Sequence, residues 1–250
     1  MPLLLVKTGS TLPPVVARRG GDFEHLFRQG LGVPEVVTVD VAAGEELPDP
    51  ARFPAVLVTG SPAMVTHREP WSEATKAWLP SVVHAGVPLL AVCYGHQLLA
   101  EAFGGRVDRN PRGRQIGTLA LTRTAAGEAD VLLGPLAPPG APLEVQATHA
   151  ESVVALGGAA TLLATCPGDP HHAFRVGDRA WAVQFHPELE HEDARDYIRG
   201  RLDTLRAEGL DPHALLSALR PTPHGQALLR AFAALAGLDR GRPAPKNEGA

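Results

Sequence analysis

The way the aliphatic runs of this chain end constrains its fold more than any other feature. Residues 3–6, 36–41, 55–59 and 88–92 are short and apolar, and each gives way to a loop or to a stretch with helical periodicity. Runs this short and this uniformly apolar read as strands buried on both faces, which needs helices on both sides of a mostly parallel sheet. The pieces between them fit. Residues 22–29 place Phe23, Leu26 and Phe27 on one helical face and stop at Gly30, while Pro13 and Pro14 indicate a loop before them. Residues 72–84 form a second helix with Ser72 as its cap and Gly86 beyond its end, and Pro80 is expected to kink or shorten it.

Further along, residues 118–122, 143–148, 161–165, 173–176 and 180–185 are strand-like. Gly177-Asp178 between the last two reads as a hairpin turn, so part of the sheet is antiparallel. Helical patterns follow at 190–208, 211–219 and 226–235. The expectation is a three-layer α/β/α sandwich with a mostly parallel central sheet. It forms one domain over residues 1–238, with a C-terminal helical extension from about 190. Residues 239–250 are polar, without periodicity, and are expected to be a disordered tail.

Composition removes several function classes. No apolar run approaches the roughly 18 residues that span a bilayer, and the short run at residues 3–6 has no basic stretch before it, against membrane insertion and a secretory signal. The net charge is -4, and the 23 basic residues neither cluster nor interleave with aromatics, so nucleic acid is not an expected partner. The two cysteines, Cys93 and Cys166, cannot make a disulfide framework or a Cys-x-x-Cys site. A cytoplasmic protein is expected.

The chemistry gathers at strand ends. Cys93 follows the run 88–92 and opens a helix over residues 94–103, with Gly95 two positions on, the arrangement of a nucleophile elbow. The amides and partial positive charge of that helix terminus favour a reactive thiolate. The run ending at Phe185 delivers His186, then Pro187 and Glu188. Open parallel sheets collect their sites along the carboxyl edge, so His186 can meet Cys93 there, take its proton, and be oriented by Glu188. The Gly60-Ser61 loop and the Tyr94 amide offer donors for a tetrahedral oxyanion.

Three segments together carry a resemblance: Thr59-Gly60-Ser61-Pro62, residues 88–97 ending Cys93-Tyr94-Gly95-His96-Gln97, and Val183-Gln184-Phe185-His186-Pro187-Glu188. In order and placement they resemble the landmarks of the class I glutamine amidotransferases. Residues 147–153 resemble the Ser-His-x-Asp-x-Val segment of the GMP synthase amidotransferase half. The resemblance covers roughly residues 1–200 and implies a flavodoxin-like fold. It implies Cys93, His186 and Glu188 as triad, Gly60, Ser61 and Tyr94 around the oxyanion, and Gln97, Thr148 and His149 against the glutamine. Three positions depart from the pattern: Ser61 stands for the second glycine of the oxyanion loop, Thr148 for a Ser, and Glu151 for an Asp. No pyrophosphatase or Walker-type loop occurs, so the ammonia is expected to go to an unidentified acceptor or a separate synthetase subunit, without a cofactor.

The other reactive side chains take plainer readings. Cys166 precedes Pro167-Gly168 and reads as an inert thiol, and His96 as a helix residue rather than a second base. His171 and His172 are adjacent in a strand and point to opposite faces, so no metal is expected. The basic turn at residues 110–114 reads as a solvated loop, and Arg201 and Arg206 as the outer face of a helix. Two further functions stay open: a γ-glutamyl hydrolase with the same triad, and a non-catalytic glutamine-binding or regulatory module.

Overall fold

The computed structural model describes residues 1–238; the expected tail at 239–250 lies outside the described residues. In chain order the elements are β1 (Leu3–Lys7), α1 (Pro13–Arg19), α2 (Phe23–Leu31), β2 (Val36–Asp40), β3 (Val56–Val58), α3 (Pro70–His84), β4 (Leu89–Val92) and α4 (Tyr94–Ala102). Then come β5 (Arg106–Arg109), β6 (Gln115–Arg123), α5 (Ala125–Ala129), β7 (Leu143–His149), β8 (Glu151–Ala155), β9 (Ala160–Cys166), β10 (Asp169–Val176) and β11 (Ala180–Val183). Helices α6 (His191–Arg199), α7 (Leu202–Ala207), α8 (Pro212–Ala218) and α9 (Pro223–Leu235) complete the described chain.

The main sheet has nine strands in the order β2-β1-β3-β4-β11-β10-β9-β6-β7. The block from β2 to β11 is parallel, as the aliphatic runs predict, and β10, β9, β6 and β7 extend it antiparallel. Two apolar clusters lie on its two sides. One joins Leu3, Leu5, Leu57 and Leu90 to Phe23, Phe27, Tyr197 and Phe232 of the helices α2, α6 and α9. The other joins Leu4, Val56, Leu89 and Ala91 to Leu79, Val82, Leu98 and Leu99 of α3 and α4. Alternate residues of β1 thus feed opposite layers, the period-two rule acting in a strand covered on both faces.

Register decides what the carboxyl edge carries. Val58 of β3 lies beside Ala91 of β4, and Val92 beside Val183 of β11, so the ends of these strands are level. Gly60, Cys93 and His186, each one to three residues beyond its strand, therefore emerge together.

Several elements differ from the sequence expectation. Pro13-Pro14 opens α1 instead of a loop, because proline is tolerated in the first helical turn, where an amide has no partner to lose. Helix α3 runs through Pro80 without ending, and it opens at Pro70 with Glu69, not Ser72, at the cap position. The long helix expected at 190–208 is divided at Gly200 into α6 and α7. Strands β5 and β8 pair as a separate two-stranded sheet that alternation in sequence did not reveal. No described helix is long and apolar enough to cross a membrane.

Candidate active site

Cys93 has φ 51° and ψ -97°, a conformation that non-glycine residues seldom hold, and it is one of two such residues among those described. Its amide donates to the Val183 carbonyl at 2.8 Å, and its carbonyl accepts from the Gln97 amide at 3.1 Å, so strand and helix each hold one side of the turn. The bend also requires close approach to β3. The Gly95 amide donates to the Thr59 carbonyl at 3.2 Å, and a methyl group on Gly95 would lie 2.9 Å from Val58 Cβ.

His186 comes from the end of β11, its amide donating to the Gln146 carbonyl at 2.8 Å. Its Nδ1–H donates to Glu188 Oε1 at 2.7 Å, and the Cys93 side chain acts electrostatically on the same imidazole. Phe23 of α2 stacks on the ring with centroids 6.3 Å apart. Burial opposes a charge on His186, but Glu188 and Cys93 outweigh it and push the imidazole up to about 10. Gly60 closes the group from the third strand. A methyl group on it would stand 2.8 Å from His186 Cε1 and 3.4 Å from Cys93 Cβ.

The peptide joining Gly60 to Ser61 is held by its oxygen. The Gly60 carbonyl lies 2.9 Å from Thr8 Oγ1 and 3.0 Å from Thr59 Oγ1, both buried hydroxyls that can donate to it. Because the peptide is planar and trans, the Ser61 N–H points away from these threonines. Ser61 lines the cavity beside Cys93 and Tyr94. The Tyr94 side chain instead turns into the α3 layer, where its hydroxyl meets Ser72 Oγ at 2.7 Å, and burial raises its pKa to about 12. The Tyr94 hydroxyl is thereby committed to the α3 layer.

The remaining expected residues are placed as follows. Gln97, Thr148 and His149 all line the same cavity. Gln97 Nε2 is already engaged, donating to the Glu151 carbonyl at 2.9 Å and to Gln184 Oε1 at 3.1 Å. His149 Nδ1–H donates to the Glu151 carbonyl at 3.0 Å, and burial lowers its pKa to about 4. Glu151 lines the cavity too, with its carboxylate engaged: Oε2 accepts from the Val65 amide at 2.8 Å and Oε1 from the Thr66 hydroxyl, tying the segment after Pro62 to β8. His96 is fully buried with Nε2–H donating to the His171 carbonyl at 2.8 Å, and burial lowers its pKa to about 3.

His171 and His172 do point apart. His171 Nδ1–H donates to the Val153 carbonyl at 2.6 Å, whereas His172 turns inward to His149 and Asp169. The donor atoms of His149, Asp169 and His172 lie within 4.8 Å of one another, with His149 Nε2 and Asp169 Oδ2 3.9 Å apart and unpartnered. These three side chains are the group among the described residues that can hold a metal ion, a grouping that adjacent histidines in the sequence did not disclose.

Three contributors escaped the sequence. Tyr197 of α6 packs by His186 with centroids 6.5 Å apart, its hydroxyl meeting Thr11 Oγ1 at 2.7 Å. Arg114, expected in a solvated loop, lines the cavity and is bound to Glu208, Nε donating to Oε2 at 2.7 Å. Arg201, expected on an outer helix face, also lines it. The break at Gly200 is the one local sign that Arg201 leaves the regular helix surface.

The comparisons with known proteins agree with this geometry. The family profile described as Glutamine amidotransferase class-I matches residues 25–202. A GMP synthase [glutamine-hydrolyzing] of Aeropyrum pernix is 33% identical over 195 residues, covering 75% of this chain and 35% of that protein. A GMP synthase [glutamine-hydrolyzing] subunit of Halobacterium salinarum is 31% identical over 185 residues, covering 74% of this chain and 93% of the other. The chain thus spans about a third of the length of the longer GMP synthases it matches. A solved glutamine amidotransferase from Thermotoga maritima shares the fold with a TM-score of 0.69 at 20% identity, covering 94% of this chain and 97% of its own. One from Methylobacillus flagellatus gives 0.71 at 19%, with 95% and 93% covered. By the extent of the family match and the identity to these relatives, the chain belongs to the class I glutamine amidotransferases.

Proposed function

We propose that this protein hydrolyses the side-chain amide of glutamine to glutamate and ammonia through a thioester on Cys93. The observation that carries the reading is the convergence of three strand ends, with Gly60 close against both His186 and Cys93 and with His186 Nδ1 fixed 2.7 Å from Glu188. His186, held as imidazolium, keeps the proton of the Cys93 thiol, and the thiolate attacks the amide carbon. The Ser61 and Tyr94 amides stabilise the oxyanion, and His186 returns the proton to the departing ammonia. Water then attacks the thioester with His186 as base, giving glutamate and free thiol. Glu188 keeps the imidazole oriented and balances its charge through both steps. Gln97, Thr148 and His149 form the wall against which the glutamine chain lies.

The protein works in the cytoplasm and passes its ammonia to a separate synthetase subunit. The subunit designation of the Halobacterium relative, which this chain matches along 93% of that protein, supports that arrangement. Purified chain incubated with L-glutamine is expected to release ammonia and glutamate in equal amounts. Cys93→Ala is expected to lose that activity by at least about 10³-fold, as removal of an activated nucleophile does. Turnover surviving the substitution sinks the thioester mechanism. γ-Glutamyl peptides in the same assay decide whether hydrolysis extends beyond glutamine.

A further inference from the structure

Among the described residues, Arg201 is the cavity-lining cation that has no counter-charge. Its neighbours in kind are all committed: Arg114 is bound to Glu208, and Arg18 and Arg19 to Asp193. Among the described residues no carboxylate lies within 4.0 Å of the Arg201 guanidinium. It rests instead on the Tyr197 ring, 4.9 Å from the centroid, with Nη1–H donating to the Tyr197 carbonyl at 3.4 Å. Tyr197 is itself fixed through Thr11, so the guanidinium sits on a rigid plate and not on a free stem. The side chain lines the cavity that holds Cys93, Ser61 and Gln97, and also the adjoining lobe that holds His186, Phe23 and Ser10. Burial lowers its pKa, yet a guanidinium remains charged, so a planar cation with free N–H edges faces the reaction site.

We propose that Arg201 is the anchor for the α-carboxylate of the substrate, which makes the site selective for γ-glutamyl compounds with a free α-carboxyl group. The proposal rests on the glutaminase reading and deepens it. A γ-amide and an α-carboxylate sit at opposite ends of one short aliphatic chain, so a substrate whose amide carbon meets Cys93 needs a partner for its anionic end elsewhere in the same cavity. A partly desolvated guanidinium pairs with a carboxylate bidentately, giving orientation as well as affinity. The amide leaving group carries no such charge, which assigns Arg201 to the glutamyl half of the substrate.

The test uses two ligands that differ in the α-carboxylate alone: L-glutamine and 4-aminobutanamide. Both are titrated calorimetrically into the full chain carrying Cys93→Ala, with and without Arg201→Gln or Arg201→Lys. The parent is expected to bind L-glutamine more tightly than 4-aminobutanamide. Arg201→Gln is expected to weaken L-glutamine on the order of 10- to 100-fold and to leave 4-aminobutanamide within about 3-fold. Arg201→Lys restores part of the loss. In the chain that retains Cys93, Arg201→Gln raises KM for L-glutamine with kcat little changed. Equal loss for both ligands assigns Arg201 a merely structural role and overturns the subsite, as does unchanged glutamine binding in Arg201→Gln; either leaves the glutaminase reading standing. Absence of ammonia release by the intact chain, with no ligand bound by Cys93→Ala, overturns the glutaminase reading and the subsite with it.

Discussion

At the scale of single residues, the fold holds side chains where their intrinsic preferences oppose them. Cys93 holds a positive φ that costs of order 1–3 kcal/mol and persists because Val183 and Gln97 bond both sides of its peptide. Asp169 is a second case. It is fully buried, and desolvation raises its carboxyl from 3.8 to about 6. Its folded pKa exceeds the unfolded value, so the stability linked to its protonation is complete below about 4 and is lost as pH rises through about 6. Asp169→Asn removes that titration. Its advantage over the parent should be absent near pH 4, grow to about 1–3 kcal/mol by pH 7, and then stay level. Urea unfolding at a series of pH values measures it. Destabilisation of the variant at pH 8 would mean that the buried carboxylate is neutralised there by a bound cation between His149 and His172.

At the scale of elements, the site is a meeting of strand ends, and its tolerance is set by glycines that let backbones approach. Gly60 is the sharpest case in the site, since a methyl group on it would meet the imidazole and the cysteine at once. Gly60→Ala should push His186 away from Cys93 by several tenths of an ångström or more. A loss of roughly 100-fold in glutaminase activity is expected with the fold retained. Activity within 3-fold of the parent, with an unchanged near-ultraviolet circular dichroism spectrum, would show that the loop yields and that the contact is not restrictive. Much of this level was legible in the sequence. The runs at 55–59 and 88–92 and the segment 180–185 became the ends of β3, β4 and β11, because uniformly apolar runs have little alternative to a doubly covered strand. The pair β5–β8 was not legible: β5 offers the core a single apolar side chain, Val107, which pairs with the buried Val153, and one such residue among Arg106, Asp108 and Arg109 marks no strand in sequence.

For the whole molecule, the C-terminal helices are part of the site's frame. Helix α6 carries Tyr197, and its Asp193 is fully buried in ion pairs with Arg18 and Arg19 of α1. Helix α9 reaches α2 through Gly30, where a methyl group would collide with Leu229 Cδ1. Since α2 also supplies the ring stacked on His186, packing at Gly30 bears on the site as well as on stability. Gly30→Ala is expected to destabilise by about 1–3 kcal/mol, and Leu229→Ala by about 2–5 kcal/mol. Because the added methyl occupies space that Leu229 vacates, the double variant should lose less than the sum. Chemical denaturation of the four proteins closes the cycle; strict additivity would show that the two helices do not meet as described.

The sequence by itself determined the α/β class, the strand ends that carry Gly60, Cys93 and His186, and the family to which those segments are similar. It could do so because strand burial and the elbow turn are local demands, written in apolar runs and in Gly95 two places after the cysteine. Tertiary structure alone decided that Arg114 and Arg201 face the cavity, that Glu151 and the Gln97 amide are used up in holding the framework, and that His149, Asp169 and His172 converge. Those facts depend on which way a side chain turns after the chain has folded. Orientation of that kind is fixed by contacts between residues far apart in sequence, as when Thr11 sets Tyr197 and Tyr197 sets Arg201.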